Sequence, residues 1–579
     1  MRTLNVTPAA RLALALTLCA GFNLGHADQR KISRDLDGLN PDATVDVIVQ
    51  YHNAKPADDR VSKMLRRGAQ LKSHLGNDDS DVFSLPARVL RDIANDGDVR
   101  YVSPDRIIQA SLEHANPATG AALAFSNGYE GEGVTVAIID SGINAHDDLE
   151  NSRRSRVVYS ESFVPRDRKT SDRFGHGTHV AGIVAGNAAL SSGPNAILSF
   201  RGMAPRVRIV NLRALDDDGV GTDSSVIRAI HRAIQLKSAY GIRVINLSLG
   251  RPVYESFADD PLCQAVERAW RAGIVVVVAA GNEGRNNSFG TQGYGTIMSP
   301  ANHPLVITVG AMKDMATAPR GDDLIATYSG KGPTQIDHIV KPDIVAPGNR
   351  IISLTTPSSL PRPGSNSPNL VPLNYYLNTN RNGNSHDYYK LSGTSMAAPM
   401  VSGAAALLLS KEPQLQPDQV KARLMKTATK SFPAASTACD PDGTCFTSQY
   451  DLFTIGAGYL DIWAALNSTD VATGHAASPS AIYDAQSGTV RVVNSNSAVW
   501  GTSAVWGTSA VWGTSAVWGT SVWVDGASAV WGTSAVWGTS AVWGTGNTQG
   551  FSAVWGTSAV WGTSTPSAGP MSRLLNGEN

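Results

Sequence analysis

Five short apolar runs constrain this chain more than any other feature: VTVAIID (134–140), VRIVNLRAL (207–215), RVINLSLG (243–250), IVVVVAAGN (274–282) and VITVGA (306–311). A strand with one face in water alternates polar and apolar side chains. These runs do not alternate, so both of their faces must be covered. Helical patterns separate them, as in SSVIRAIHRAIQLKSA (224–239) and LCQAVERAWRA (262–272). Strand and helix in alternation specify an α/β fold with a doubly wound, mostly parallel sheet. In such sheets the chemistry gathers beyond the carboxyl ends of the strands.

The regions outside the sheet differ in kind. From Ala43 to about Gln109 the pattern is that of a small α+β unit. TVDVIVQY alternates like a strand, DRVSKMLRRGAQLKSHL is helical, VFSL is a strand, PARVLRDIAND a helix and VRYVSPD a strand. That order predicts a ferredoxin-like module. Ser353 to Tyr388 is rich in Asn, Pro and Ser and predicts a long surface loop. Residues 468–496 have the composition of a linker. From 497 to 564 the unit SAVWGT recurs nine times intact, interrupted by SVWVDGA (521–527) and GNTQGF (546–551), and residues 565–579 form a tail. Because six is even, every Trp of a run falls on one side of an extended chain. The repeats read either as a stacked β-structure or as a disordered, sticky segment.

Lys+Arg and Asp+Glu both number 49 in 579 residues, which offers no electrostatic case for nucleic acid. Arg2 and Arg11, an apolar run from Leu12 to Leu24, and Gly25-His26-Ala27 predict a secretory signal peptide over 1–27. Export would allow disulfides. Cys439 and Cys445 flank Asp-Pro-Asp-Gly, a turn sequence, and are the expected bridge, which leaves Cys263 as a buried thiol in a helical pattern.

Three groups stand where strands end or helices begin: Asp140 ends VAIIDSG, His176 lies in FGHGTHVAGIVAG, and Ser395 lies in SGTSMAAP. A carboxylate, an imidazole and a hydroxyl are the parts that activate a serine. The ring takes the hydroxyl proton, and the carboxylate fixes the tautomer and stabilises the imidazolium. Asp, His, Ser is one of the chain orders this device takes. Each residue has a blander reading. Asp140 and Ser395 could cap a turn or helix. His176 and His179 stand three apart like zinc ligands, but the sequence offers neither a glutamate in the expected place nor a third ligand.

DSGINAHDDL, GHGTHVAGIVAG, LSLG, AAGNEG and SGTSMAAPMVSG together resemble the subtilisin-like serine peptidases, over roughly residues 130 to 466. The resemblance implies that Asp140 orients the base, His176 is the base and Ser395 the nucleophile. It implies Asn282 as a donor to the oxyanion. It implies Ser248, Leu249 and Gly250 on one side, and Gly219, Val220 and Gly221 on the other, as edges that pair with an extended peptide. Asp148 matches a calcium ligand of many relatives, although a solvated turn carboxylate explains it equally. No cofactor is required for the chemistry. The α+β unit resembles the family's inhibitory propeptide. On this reading residues 28–111 are the propeptide, 112–467 the peptidase domain, and self-cleavage falls near Gln109 to Ser111. The expected function is a secreted serine endopeptidase acting on polypeptides and restrained by its own propeptide. The competing class is a surface-binding or self-associating repeat protein with an incidental peptidase domain.

Overall fold

The structure, a computed structural model, describes residues 31–493 apart from 34–35, 37–38, 53–56, 76–79, 106, 111–117, 153, 289–290, 316–319, 357–368, 380–382, 441–442, 473 and 485–488, together with 521–524. The signal peptide expected over 1–27, the tail over 565–579 and all but 521–524 of the repeats lie outside the described residues. The chain divides into two compact units, one of residues up to 74 and 78–104, the other of 75–77 and 105 onward.

The first unit runs β1 (Thr44–Tyr51), α1 (Ala57–Leu65), β2 (Gln70–His74), β3 (Ser80–Pro86), α2 (Leu90–Ala94) and β4 (Val99–Pro104). Its sheet has the order β2-β3-β1-β4, with every neighbouring pair antiparallel, which is the ferredoxin-like arrangement. Val47, Val49, Phe83 and Leu85 from the strands pack with Met64 and Ile93 from the helices in one core. One expectation is corrected. The helix predicted through Leu75 stops at Leu65, and Gly68 turns the chain with a φ of 84°. QLKSH then alternates in burial and pairs with β3. The missing strand of the β-α-β-β-α-β order was hidden in what reads as a helical continuation.

The second unit begins with β5 (Ile107–Ala110). Its main sheet comprises β6 (Thr135–Asp140), β7 (Val157–Ser162), β8 (Arg208–Arg213), β10 (Ile242–Leu247), β12 (Val275–Ala279), β13 (Ile307–Lys313), β14 (Leu324–Ile325) and β15 (Ile344–Pro347). Two short strands, β9 (Val220–Thr222) and β11 (Leu249–Gly250), stand outside it. The sheet order is β14-β13-β12-β10-β6-β8-β7, with β15 also beside β13. Every pairing is parallel except β13 with β14. All residues of β6, β12 and β13 are buried, as strands without alternation require. The edge strand β7 is half-exposed and carries Ser and Glu, so it does not register as an apolar run.

Helices α3 (His176–Ala185), α4 (Asp223–Tyr240), α5 (Pro261–Arg271), α6 (Thr394–Lys411) and α7 (Pro417–Thr427) cover the sheet. Helix α6 is buried from Thr394 through Leu409 and packs on β10, β12, β13 and α3. A helix apolar on all sides belongs in such a position. Strand β6 lies between β8 and β10, and the chain order reverses across it, so a crevice opens at its carboxyl end.

The predicted loop over 353–388 is corrected in part. Strands β16 (Ile351–Leu354), β17 (Leu370–Pro372) and β18 (Asn384–Leu391) form an antiparallel sheet of order β16-β18-β17. Its aromatics supply the core that the composition concealed: Tyr388 packs edge-on against Phe200 at 4.8 Å and against Tyr376 at 5.3 Å. Strands β19 (Ala435–Cys439) and β20 (Cys445–Gln449) form a hairpin closed by the Cys439–Cys445 disulfide, and Cys263 is a buried free thiol.

The linker expected over 468–496 is corrected too. Ala476, Ser478 and Ala481 are buried. The Ser478 hydroxyl donates to Asp343 Oδ1 at 2.5 Å and accepts from Lys421 Nζ at 2.9 Å. Beyond it, β21 (Ser480–Asp484), β22 (Thr489–Val493) and β23 (Ser521–Val524) form a small antiparallel sheet. The signal missed was local: a single serine finds a buried charge cluster that only the fold assembles. Among the described residues no helix is long and apolar enough to cross a membrane.

Candidate active site

Asp140 is the last residue of β6, at the crevice, and His176 is the first residue of α3. The His176 Nδ1 lies 2.5 Å from Asp140 Oδ1, and both side chains are buried. Close contact of α3 with the turn after β6 makes this possible. A Cβ at Gly177 would stand 2.1 Å from the Gly142 carbonyl oxygen, so only glycine lets the two segments approach. Asp172 holds the turn that precedes α3. Its carboxylate accepts from the Gly175 N–H at 2.6 Å, the Thr178 N–H at 2.8 Å and the Ser141 hydroxyl at 2.9 Å. Burial pushes this carboxyl above its ordinary range, against the N–H donors that lower it. The Ser141 N–H in turn donates to Asp140 Oδ1 at 2.7 Å, and its hydroxyl accepts from the Gly177 N–H at 3.0 Å. Asp172 was not among the expected site residues, because it stands three residues ahead of the N-cap Gly175, where no capping signal points to it.

Ser395 is the second residue of α6, behind Gly393, whose φ of 147° excludes a side chain without strain. The structure explains Pro399 in the helix interior. Pro399 has no N–H to give the Ser395 carbonyl four residues back. That carbonyl instead accepts from Ser248 Oγ at 2.7 Å, while Ser395 Oγ donates to the Ser248 carbonyl at 3.2 Å. Below them runs a buried polar chain: Asn246 Nδ2 donates to Ser248 Oγ at 2.9 Å, and Ser402 Oγ donates to Asn246 Oδ1 at 2.8 Å. Ser248 was expected only as a peptide edge, and it also anchors the backbone of Ser395.

Asn282 follows β12. Its Oδ1 accepts from the Thr394 N–H at 2.9 Å and the Thr394 hydroxyl at 3.0 Å, and Thr394 Oγ1 accepts from the Gly281 N–H at 3.1 Å. With the amide oxygen fixed on two donors, Nδ2 is the donating side of the group. Leu249 and Gly250 form β11. Val220 and Gly221 lie in β9, with Gly219 just before it. Between these two edges lies β5, antiparallel to both: Val220 faces Gln109, Gly221 faces Ile108, Leu249 faces Ala110 and Gly250 faces Gln109. Asp105, just ahead of β5, accepts from the Ser224 N–H at 2.7 Å and hydroxyl at 2.6 Å at the start of α4. The buried Arg251 joins the two edges through Asp223, by Nε at 3.1 Å and Nη2 at 3.1 Å, and reaches Asp260 at 2.8 Å.

His179 is buried away from this centre. Its Nε2 reaches the carbonyls of Ile351 at 3.2 Å and Tyr389 at 3.1 Å, and burial lowers its pKa to about 3. A neutral ring packed against carbonyls is a structural group. Asp148 is buried and is not a solvated turn carboxylate: Oδ1 accepts from the Leu190 N–H at 2.9 Å and Oδ2 from the Tyr388 hydroxyl at 2.6 Å. Among the described residues no group of three or more His, Cys, Asp or Glu is placed to hold a metal ion.

An imidazole held by a buried carboxylate, a serine at the start of an adjoining buried helix and a cleft that pairs with a strand are the parts a serine hydrolase acting on extended chains requires. The pattern of the Subtilase family matches residues 131–443, and the chain belongs to that family. It is 39% identical to Serine protease AprX of Bacillus subtilis (strain 168) over 341 residues, 58% of this chain and 70% of that protein. It is 38% identical to Subtilisin DY of Bacillus licheniformis, covering 52% of this chain and 86% of that one. Against Subtilisin E of Bacillus subtilis (strain 168) the identity is 33%, over 63% and 79%. The chain is a subtilisin-like serine endopeptidase, a hydrolase.

Proposed function

We propose that this chain is an exported zymogen that matures by cutting itself, with Asp140, His176 and Ser395 as the catalytic triad. The Asp140 contact keeps the proton on His176 Nδ1, which leaves Nε2 as the base. As Ser395 Oγ attacks a peptide carbonyl carbon, Nε2 takes its proton. The negative oxygen of the tetrahedral intermediate meets Asn282 Nδ2 and the Ser395 N–H. Collapse breaks the C–N bond, His176 returns the proton to the leaving amine, and water later attacks the acyl-enzyme by the same route.

The observation that carries the zymogen reading is the register of β5. Ala110 faces Leu249 and Gln109 faces Gly250, so the antiparallel count along this edge runs toward Ser248 as β5 ends at Ala110. Ser248 is the residue whose carbonyl receives the Ser395 hydroxyl. On this count the scissile bond is Ser111–Leu112, at the far edge of the expected interval. Residues 28–111 then serve as an intramolecular inhibitor whose last strand fills the cleft. The Asp105 carboxylate anchors that strand at α4. A fluorophosphonate probe tests the enzyme itself: the processed protein should be labelled on Ser395, and a processed protein that resists labelling would refute the triad.

A further inference from the structure

We infer that Met298 closes the floor of the substrate pocket, so that the enzyme cuts after small residues such as Ser and Ala; this rests on the peptidase reading above. The residue whose carbonyl meets Ser395 and Asn282 must carry its side chain between the segments that bear those neighbours. These are Ser248–Gly250 on one side and Ala280–Asn282 on the other. Both segments present a glycine to this space, which by itself would leave a deep slot for a large side chain.

Met298 takes that space. A Cβ built on Gly250 would lie 3.1 Å from Met298 Cβ and 3.6 Å from its sulfur. One built on Gly281 would lie 2.7 Å from Met298 Cγ and 3.1 Å from the sulfur. The thioether is therefore packed against the bare faces of both glycines. Its backbone is fixed on both sides as well. The Met298 N–H donates to the Ala280 carbonyl at 3.0 Å, and the next residue, Ser299, exchanges two bonds with Arg251 at 2.8 and 3.0 Å. Ile297, Ser299 and Pro300 are buried while Met298 is only partly so, as a side chain bordering an open pocket must be. The scissile bond proposed above likewise follows a small residue, Ser111.

The test measures kcat/KM of the processed enzyme on tetrapeptide anilides that differ only at the attacked residue: Ala, Ser, Leu and Phe. Wild type should favour Ala and Ser over Leu and Phe by about tenfold or more, the scale on which pocket fit discriminates. Met298→Gly should reduce that ratio by gaining on Leu and Phe, with fluorophosphonate labelling of Ser395 reporting that the variant is folded. A wild type that cuts Phe as well as Ala would overturn the inference, whatever the variant does. So would a labelled variant with an unchanged ratio. A processed wild type that cuts none of the anilides and takes no label would instead overturn the peptidase reading itself.

Discussion

At the residue scale the site depends on side chains that hold backbone. Thr394 and Asn282 tie the loop after β12 to the start of α6, so the proposed oxyanion donor and the nucleophile are set as one piece. Asn282→Ala should lower kcat by about 10²–10³-fold with KM little changed, the loss that removal of such a donor causes in subtilisin, a relative of this chain. Steady-state kinetics on a small anilide would measure it. His179 makes a second case. Folded, it stays neutral down to about pH 3, whereas the unfolded chain takes up the proton near its ordinary value of 6.5. The unfolded state thus binds more protons below that value, and stability falls as pH drops from about 6.5 to about 3, by up to ~1.4 kcal/mol per pH unit. His179→Gln can keep an N–H for the Ile351 and Tyr389 carbonyls but cannot titrate. Its unfolding free energy should fall less steeply than wild type's over that window in denaturant titrations at stepped pH. The placement of Asp140, His176 and Ser395 at a strand end or helix start was legible in the sequence because each lies within a dense motif. Asn246, Asp172 and the hydroxyl of Ser248 were not. For Asn246 and Ser248 the partners, Ser402 and the Ser395 carbonyl, lie far away in sequence and only the fold brings them together, whereas Asp172 bonds the nearby Gly175 and Thr178 N–H groups outside any motif.

At the element scale the cleft is a gap of fixed width between β9 and β11. Asp223 directly follows β9 and Arg251 directly follows β11, so their buried ion pair sets the distance at which a third strand fits. Arg251→Ala would remove the guanidinium that pairs with the buried Asp223 and Asp260. The expected cost is about 3–5 kcal/mol, seen as an earlier urea midpoint, together with a raised KM for extended peptides. Equal stability of variant and wild type would show that the pair does not hold the cleft. The central strands were readable because burial on both faces removes alternation. Strand β2 and the strands β16 to β18 escaped for opposite reasons. The first follows a helix without a composition break, and the others are polar segments whose aromatics find partners only across the fold.

At the scale of the whole molecule, the peptidase unit extends past its family pattern. Asp343 is buried between Lys341 at 2.7 Å and Lys421 at 3.0 Å, and Ser478 completes the cluster. A chain ending at 467 would lose Ser478 and open these charges to imperfect pairing, whereas one ending at 496 retains it. The shorter form should melt at lower temperature and inactivate faster, and the longer one should match full length in anilide hydrolysis. Removing 497–564 from the complete chain should leave proteolysis intact and release the enzyme from surface fractions, if the Trp repeats serve attachment. The repeats were legible as a unit of composition. Their structure was not, because a periodic segment with almost no charge specifies a parity but not a partner.

Self-cleavage by Ser395 is tested most directly by mass spectrometry of the expressed protein, wild type beside Ser395→Ala. Wild type should begin at Leu112 and the variant should keep residues 28–111 attached. A variant that arrives cut at the same bond would show that another agent performs the processing and that Ser395 does not cleave its own chain.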